Sequence, residues 1–171
     1  MGSVREVTNE LRPALLLHQS LPRPMHGVCP RNVIGGKWWK EASAESKQRA
    51  QRRCNACGRF SDKLEAHESY EVDYVNARLY FVEVVALCWF CHRYIHQSQL
   101  AAMVAKGAIP KELADKVIQH GEGVLRSYGL VKPPSEPDLN EWQDWRMIFN
   151  GKAYPPRFLN EIEWQEYHDR K

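Results

Sequence analysis

Two Cys-x-x-Cys pairs, Cys54-Asn55-Ala56-Cys57 and Cys88-Trp89-Phe90-Cys91, constrain this chain more than any other feature. Each pair presents two thiols at the separation a tetrahedral ion needs, so two pairs complete a four-sulfur site. No apolar run approaches the ~20 residues of a membrane helix. The run Ala14–Leu17 is too short for a signal-peptide core, so the expected location is cytoplasmic. Paired cysteines in that compartment favour structural Zn2+ over disulfides. Cys29 is the fifth cysteine and reads as a buried free thiol.

The 30 residues between Cys57 and Cys88 must fold the pairs back together. Leu64 to Tyr74 alternates in the manner of a strand, with Leu64, Ala66, Tyr70, Val72 and Tyr74 on one face and Glu65, His67, Ser69, Glu71 and Asp73 on the other. Val75 to Arg78 reads as a turn although it lacks glycine. Leu79 to Leu87 is β-branched and aromatic and reads as the returning strand. A helix then follows from Cys88 towards Gly107.

Around this unit, prolines at 13, 22, 24 and 30 imply an extended arm over residues 1–42. Ser43 to Arg53 reads as a helix capped by Ser43. Pro110 opens another helix, which Gly121 and Gly123 weaken and Gly129 ends. A Pro-rich linker follows at Lys132 to Pro137. Asn150-Gly151 predicts a hairpin between Trp145–Phe149 and Lys152–Tyr154. Asn160 caps a last helix. The expected fold class is α+β: a small zinc-stabilised strand–hairpin–helix core within residues 43–107, with a helical extension and small hairpin over 108–171.

The formal net charge is only +3, which excludes a histone-like polycation. The balance is uneven, because residues 1–63 carry 12 Lys/Arg against 5 Asp/Glu, and residues 64–171 carry 12 against 16. Lys37, Lys40, Lys47, Arg49, Arg52 and Arg53 lie in one stretch and are candidates for phosphate contacts. A solvated helix face is the plainer reading of the same charges. Trp142, Trp145, Tyr154, Phe158, Trp164 and Tyr167 give the C-terminal part either a second small core or a surface for a protein partner.

Three histidines lie within the cysteine-framed segment. His67 is mid-strand, and His92 and His96 are four apart on the helix, so both imidazoles project from one face. The run Cys54-x2-Cys57, Leu64-Glu65-Ala66-His67-Glu68 and Leu87-Cys88-x2-Cys91-His92-x3-His96 resembles the HNH nucleases of the ββα-metal fold. The likeness covers about residues 54–97, and the flanking Asn32–Trp39 and Trp145–Trp164 are similar to bacterial and phage HNH-like proteins. It implies a ββα-metal core and a metal-dependent endonuclease hydrolysing nucleic acid, DNA in the first instance. His67 would be the general base. His92 and His96 would hold a second divalent ion such as Mg2+, Mn2+, Ni2+ or Zn2+. Two positions depart from the family. Ala66 stands where a ligating Asp or His is usual, and Glu83 falls at the place of the Asn, where it is a candidate catalytic helper whose carboxylate could accept a hydrogen bond from His67 or bind metal. A catalytically inactive zinc module that binds nucleic acid or a protein is the alternative. In a third reading His67, His92 and His96 hold a second structural zinc.

Overall fold

A computed structural model of the chain describes residues 11–18 and 20–170. The first ten residues of the expected arm lie outside the described residues. The rest of that arm is not extended: it forms 3-10 turns at Pro13–Leu17 and Arg23–Met25 and a short helix α1, Pro30–Val33. Helix α2, Gly36–Ala50, starts seven residues before the expected position, so Ser43 is inside it and caps nothing. Trp38 supplies the reason. Its ring packs edge-on against Phe81 at 5.8 Å and Phe149 at 5.4 Å, and burying a Trp there rewards an earlier start. Ser43 instead accepts a hydrogen bond at its carbonyl from Ser46 Oγ, at 2.9 Å.

Strands β1, Glu65–Asp73, and β2, Arg78–Leu87, form the expected hairpin. The turn forms without glycine: Ala77 itself takes the left-handed φ of 54°, and Asp73 ties the chain ahead of it. Its carboxylate accepts from the backbone of Val75 and Asn76, both at 3.0 Å, and from the Asn76 amide at 2.8 Å. Helices α3, Trp89–Ile95, and α4, Gln97–Ala105, replace the single expected helix, with the break at His96. Helix α5 is Lys111–Ser127. Gly121 does not merely weaken it: a Cβ there would lie 2.2 Å from Tyr94 Cγ, so only glycine lets α5 approach α3. Strands β3, Arg146–Phe149, and β4, Lys152–Tyr154, flank Asn150 and Gly151, both at positive φ as a primed turn requires. Helix α6, Glu161–Asp169, is capped by Asn160, whose side chain accepts from Glu163 N at 2.9 Å.

The fold is mixed α+β, with six α-helices and a four-stranded sheet of order β1-β2-β3-β4 among the described residues. The pairing of β3 with β2 is parallel, Leu79 opposite Met147. It was not legible in the sequence. No described helix is long and apolar enough to cross a membrane.

The described chain divides into two compact units, each drawn from three separate stretches. Unit 1 comprises residues 11–18, 43–67 and 85–133, and unit 2 comprises 20–42, 68–84 and 134–170. The core of unit 1 gathers Leu16, Val85, Leu87, Tyr94, Leu100, Val117 and Leu125 around the cysteines. The core of unit 2 gathers Met25, Val28, Leu79, Trp145, Met147 and Phe149. Of the C-terminal aromatics, Trp145 is fully buried in this core with Tyr154 packed against it, and Phe158 is buried outside it.

Candidate metal centres

The four paired cysteines converge in unit 1, with all four sulfurs within 4.8 Å of one another. Three local features bring them there. Gly58 takes φ +72 and closes the first pair by donating its N–H to Cys54 O at 2.9 Å. Asn55 ties that knuckle to the end of β2, because its N–H donates to Ala86 O at 2.9 Å and its side-chain carbonyl accepts from Ala86 N at 2.8 Å. Cys88 is the N-cap of α3 and Cys91 sits in its first turn.

The geometry fits a tetrahedral ion. Two thiolates on one zinc at about 2.3 Å each would stand about 3.8 Å apart. Cys57 Sγ and Cys88 Sγ are 3.8 Å apart. Hydrogen bonding from Cys57 and Cys91 holds Cys54 down to about 7, while the same mutual contacts push Cys57 and Cys91 up, so the four thiols share their protons until a metal displaces them. Hydrogen bonds from Cys54, Cys57 and Cys91 likewise hold Cys88 below the ordinary thiol range. The cluster is thus compatible with a structural metal such as zinc. His120, on α5, approaches Cys91 Sγ with Nε2 at 3.4 Å and supplies an outer contact of the kind that orients a ligand. Cys29 is outside the cluster and is a free thiol, half-buried rather than buried.

A second group lies in the same unit. His67 on β1, His92 on α3 and His96 at the α3–α4 break bring their ring nitrogens within 4.8 Å of one another. The break changes how His96 gets there. Its backbone leaves the helix (φ −96°, ψ 55°) while its N–H still donates to His92 O at 3.2 Å, so the i,i+4 neighbours stay together without a continuous helix. His96 Nε2 and His67 Nδ1 are 3.2 Å apart. Two imidazole nitrogens on one tetrahedral ion at about 2.05 Å each would be about 3.3 Å apart. Burial, reinforced by the neighbouring His92, holds His96 down to about 4, so it is neutral at pH 7 and carries the lone pair a ligand needs.

Glu65 shapes this group, and sequence reading missed it. Its carboxylate accepts a hydrogen bond from His92 Nδ1–H and faces Arg93 Nη2 at 3.4 and 3.5 Å. That bond fixes the His92 tautomer and leaves Nε2 as its donor atom, the carboxylate–histidine arrangement common behind metal ligands. The signal was present, because Glu65 is two residues from His67 on a period-two strand and therefore shares its face. His18, just after the first 3-10 turn, sets its ring edge-on to His67 at a centroid distance of 5.3 Å and an interplanar angle of 73°. No sequence pattern pointed to it.

Glu83 lies on β2 in unit 2 and is in neither converging group. The basic stretch is divided: Lys37 and Lys40 belong to unit 2, and Lys47, Arg49, Arg52 and Arg53 to unit 1. Arg49 pairs with Glu45 at 2.8 Å and Arg52 pairs with Asp62.

An α+β chain with one four-cysteine group and one three-histidine group is, by its chemistry, a candidate metal-binding protein. No family model, curated protein or solved structure matches it.

Proposed function

We propose that the chain is an HNH-like metal-dependent nuclease in which the cysteines hold structural zinc and His67, His92 and His96 hold a second divalent ion. The convergence of three imidazoles beside, but separate from, the four-sulfur group carries this reading. A divalent ion there supplies polarisation of a phosphodiester and activation of water. The residues do the rest. His92 is oriented by Glu65, and His96 is kept neutral by burial. The 3.2 Å separation from His96 favours His67 as a third donor over the general-base role that the resemblance suggests. An all-imidazole donor set suits Ni2+, Co2+ or Zn2+ better than Mg2+. Lys47, Arg49, Arg52 and Arg53, all in the same unit as the histidines, would hold the phosphate backbone without reading sequence.

The test is cleavage of plasmid and of single-stranded DNA and RNA with each ion, alongside Co2+ titration followed by absorption. Cleavage should be lost in His92→Ala and His96→Ala while the cysteine-bound metal is retained. Loss of Co2+ binding in His67→Ala marks a donor; retained binding with lost cleavage marks a base. The second reading, a non-catalytic zinc module, is favoured by Ala66 and by the absence of Glu83 from the histidine group. Two tightly held zincs and no cleavage with any ion would decide for it.

A further inference from the structure

Residues 51–63 carry more than the first cysteine pair. Gln51 and Arg52 adopt φ 48° and 63°, left-handed conformations that glycine takes without strain and other residues rarely hold. The chain then doubles back. Cys54 N–H donates to Arg59 O at 3.0 Å, Ser61 N–H donates to Arg52 O at 2.8 Å, and Arg53 bridges antiparallel to Phe60. This small knuckle is closed by Cys54 and Cys57, so its tip is fixed by the four-sulfur group. On it Phe60 is 54 % exposed, with the Arg52 guanidinium 4.5 Å from its ring centroid.

The surroundings are cationic. Residues 47–63 hold Lys47, Arg49, Arg52, Arg53, Arg59 and Lys63 against the single carboxylate of Asp62, which pairs with Arg52, while Arg49 pairs with Glu45, so the stretch keeps a net positive charge. A protein partner's apolar patch is poorly served by one Phe among cations, since charge is depleted from the centres of such interfaces. A polynucleotide is well served: its phosphates match the cations, and any base presents a flat face to an aromatic ring. A base within a duplex is already stacked on both sides, so the contact selects an unpaired one.

We propose that Phe60, buttressed by Arg52, is a stacking platform for an unpaired base, and that this knuckle is where the chain grips single-stranded nucleic acid. The proposal rests on the reading that the substrate is nucleic acid, and it names the form that substrate takes. The test is fluorescence anisotropy with a labelled single-stranded oligonucleotide and the matching duplex, compared at each of a series of salt concentrations, using the zinc-loaded full chain. Stacking on one aromatic ring supports a loss of about tenfold or more in single-strand affinity for Phe60→Ala. Duplex affinity should change little. Phe60→Trp keeps a stacking face and should bind within about threefold of the parent, which also controls for misfolding. Arg59→Ala should weaken both forms alike and flatten the salt dependence. Equal single-strand affinity for Phe60→Ala and the parent overturns the proposal, as does a Trp variant as weak as the Ala one. If the parent still cleaves DNA in either case, the nuclease reading stands alone. Failure to bind any oligonucleotide overturns both.

Discussion

Gly121→Ala and Gly123→Ala add the same methyl group two positions apart on α5, and they should move stability in opposite directions. Both exchanges gain helix propensity, about 0.8–1.0 kcal/mol for Ala over Gly in a helix interior. At Gly123 nothing lies within 4 Å of the added Cβ, so that gain is the whole effect. At Gly121 the Cβ would stand 2.2, 2.3 and 2.6 Å from Cγ, Cδ2 and Cδ1 of Tyr94. These atoms are at the root of the ring, next to the backbone, and Tyr94 is buried in the unit 1 core, so the ring cannot swing clear. Overpacking of this kind costs about 1–3 kcal/mol, and contacts this short place it at the upper end. Net of propensity, Gly121→Ala should lose about 2 kcal/mol and Gly123→Ala should gain about 1 kcal/mol. The gap of about 3 kcal/mol corresponds to roughly 6–12 °C between the two Tm values for a chain of this size. Urea unfolding at fixed zinc concentration reads it directly, with unchanged slope as the sign that only stability moved. Tyr94 shares α3 with Cys91 and His92, so only the Gly121 variant should also hold metal less well. Shifts of the same sign in both variants, or a neutral Gly121→Ala, would refute the close approach of α5 to α3.

Three further outcomes follow from the metal groups. Glu65→Ala should weaken Co2+ binding at the histidines about 10–100-fold while the cysteine-bound metal is retained, as read by titration and elemental analysis. Cys88→Ala, or a strong chelator, should strip the four-sulfur group and raise amide hydrogen exchange across residues 85–95, because a structural metal contributes folding free energy outright. His96 protonates near 4 in the folded chain against 6.5 ordinarily, so between those values the unfolded state binds more protons. Stability should therefore fall as pH drops from about 6.5 to 4, and His96→Gln should flatten that slope in urea midpoints.

Much of the site was legible because ligand chemistry is local. The cysteine spacing, the period-two placement of His67 and the i,i+4 pair His92 and His96 are short-range patterns, and the structure brings each set together. The hairpin at Asn150-Gly151 and the cap at Asn160 were readable for the same reason. What escaped depends on distant partners. Trp38 draws the start of α2 back to Gly36 through contacts with Phe81 and Phe149. Tyr94 explains Gly121, and His120 reaches Cys91 from a helix whose position no local pattern gives. The parallel register of β3 on β2 is likewise a tertiary choice, since Arg146–Phe149 alternates equally well for any neighbour. His96 shows a subtler limit. Its ring lies with that of His92, yet no continuous helix imposes this, because the helix breaks at His96 itself.

The interleaving of the two units has a consequence for how the chain is made. Each unit is stitched from three stretches, so the polypeptide crosses from one to the other repeatedly. No single cut separates the two units, because any fragment that keeps all of one also carries stretches of the other. During synthesis, all the ligands of both groups are present once His96 has emerged just after α3, whereas Trp145 and β3 are still to come. The metal-bearing half is thus chemically complete before the other half can close its core. For a nascent chain, early ion capture would be the event that holds the first half in shape while the second is awaited.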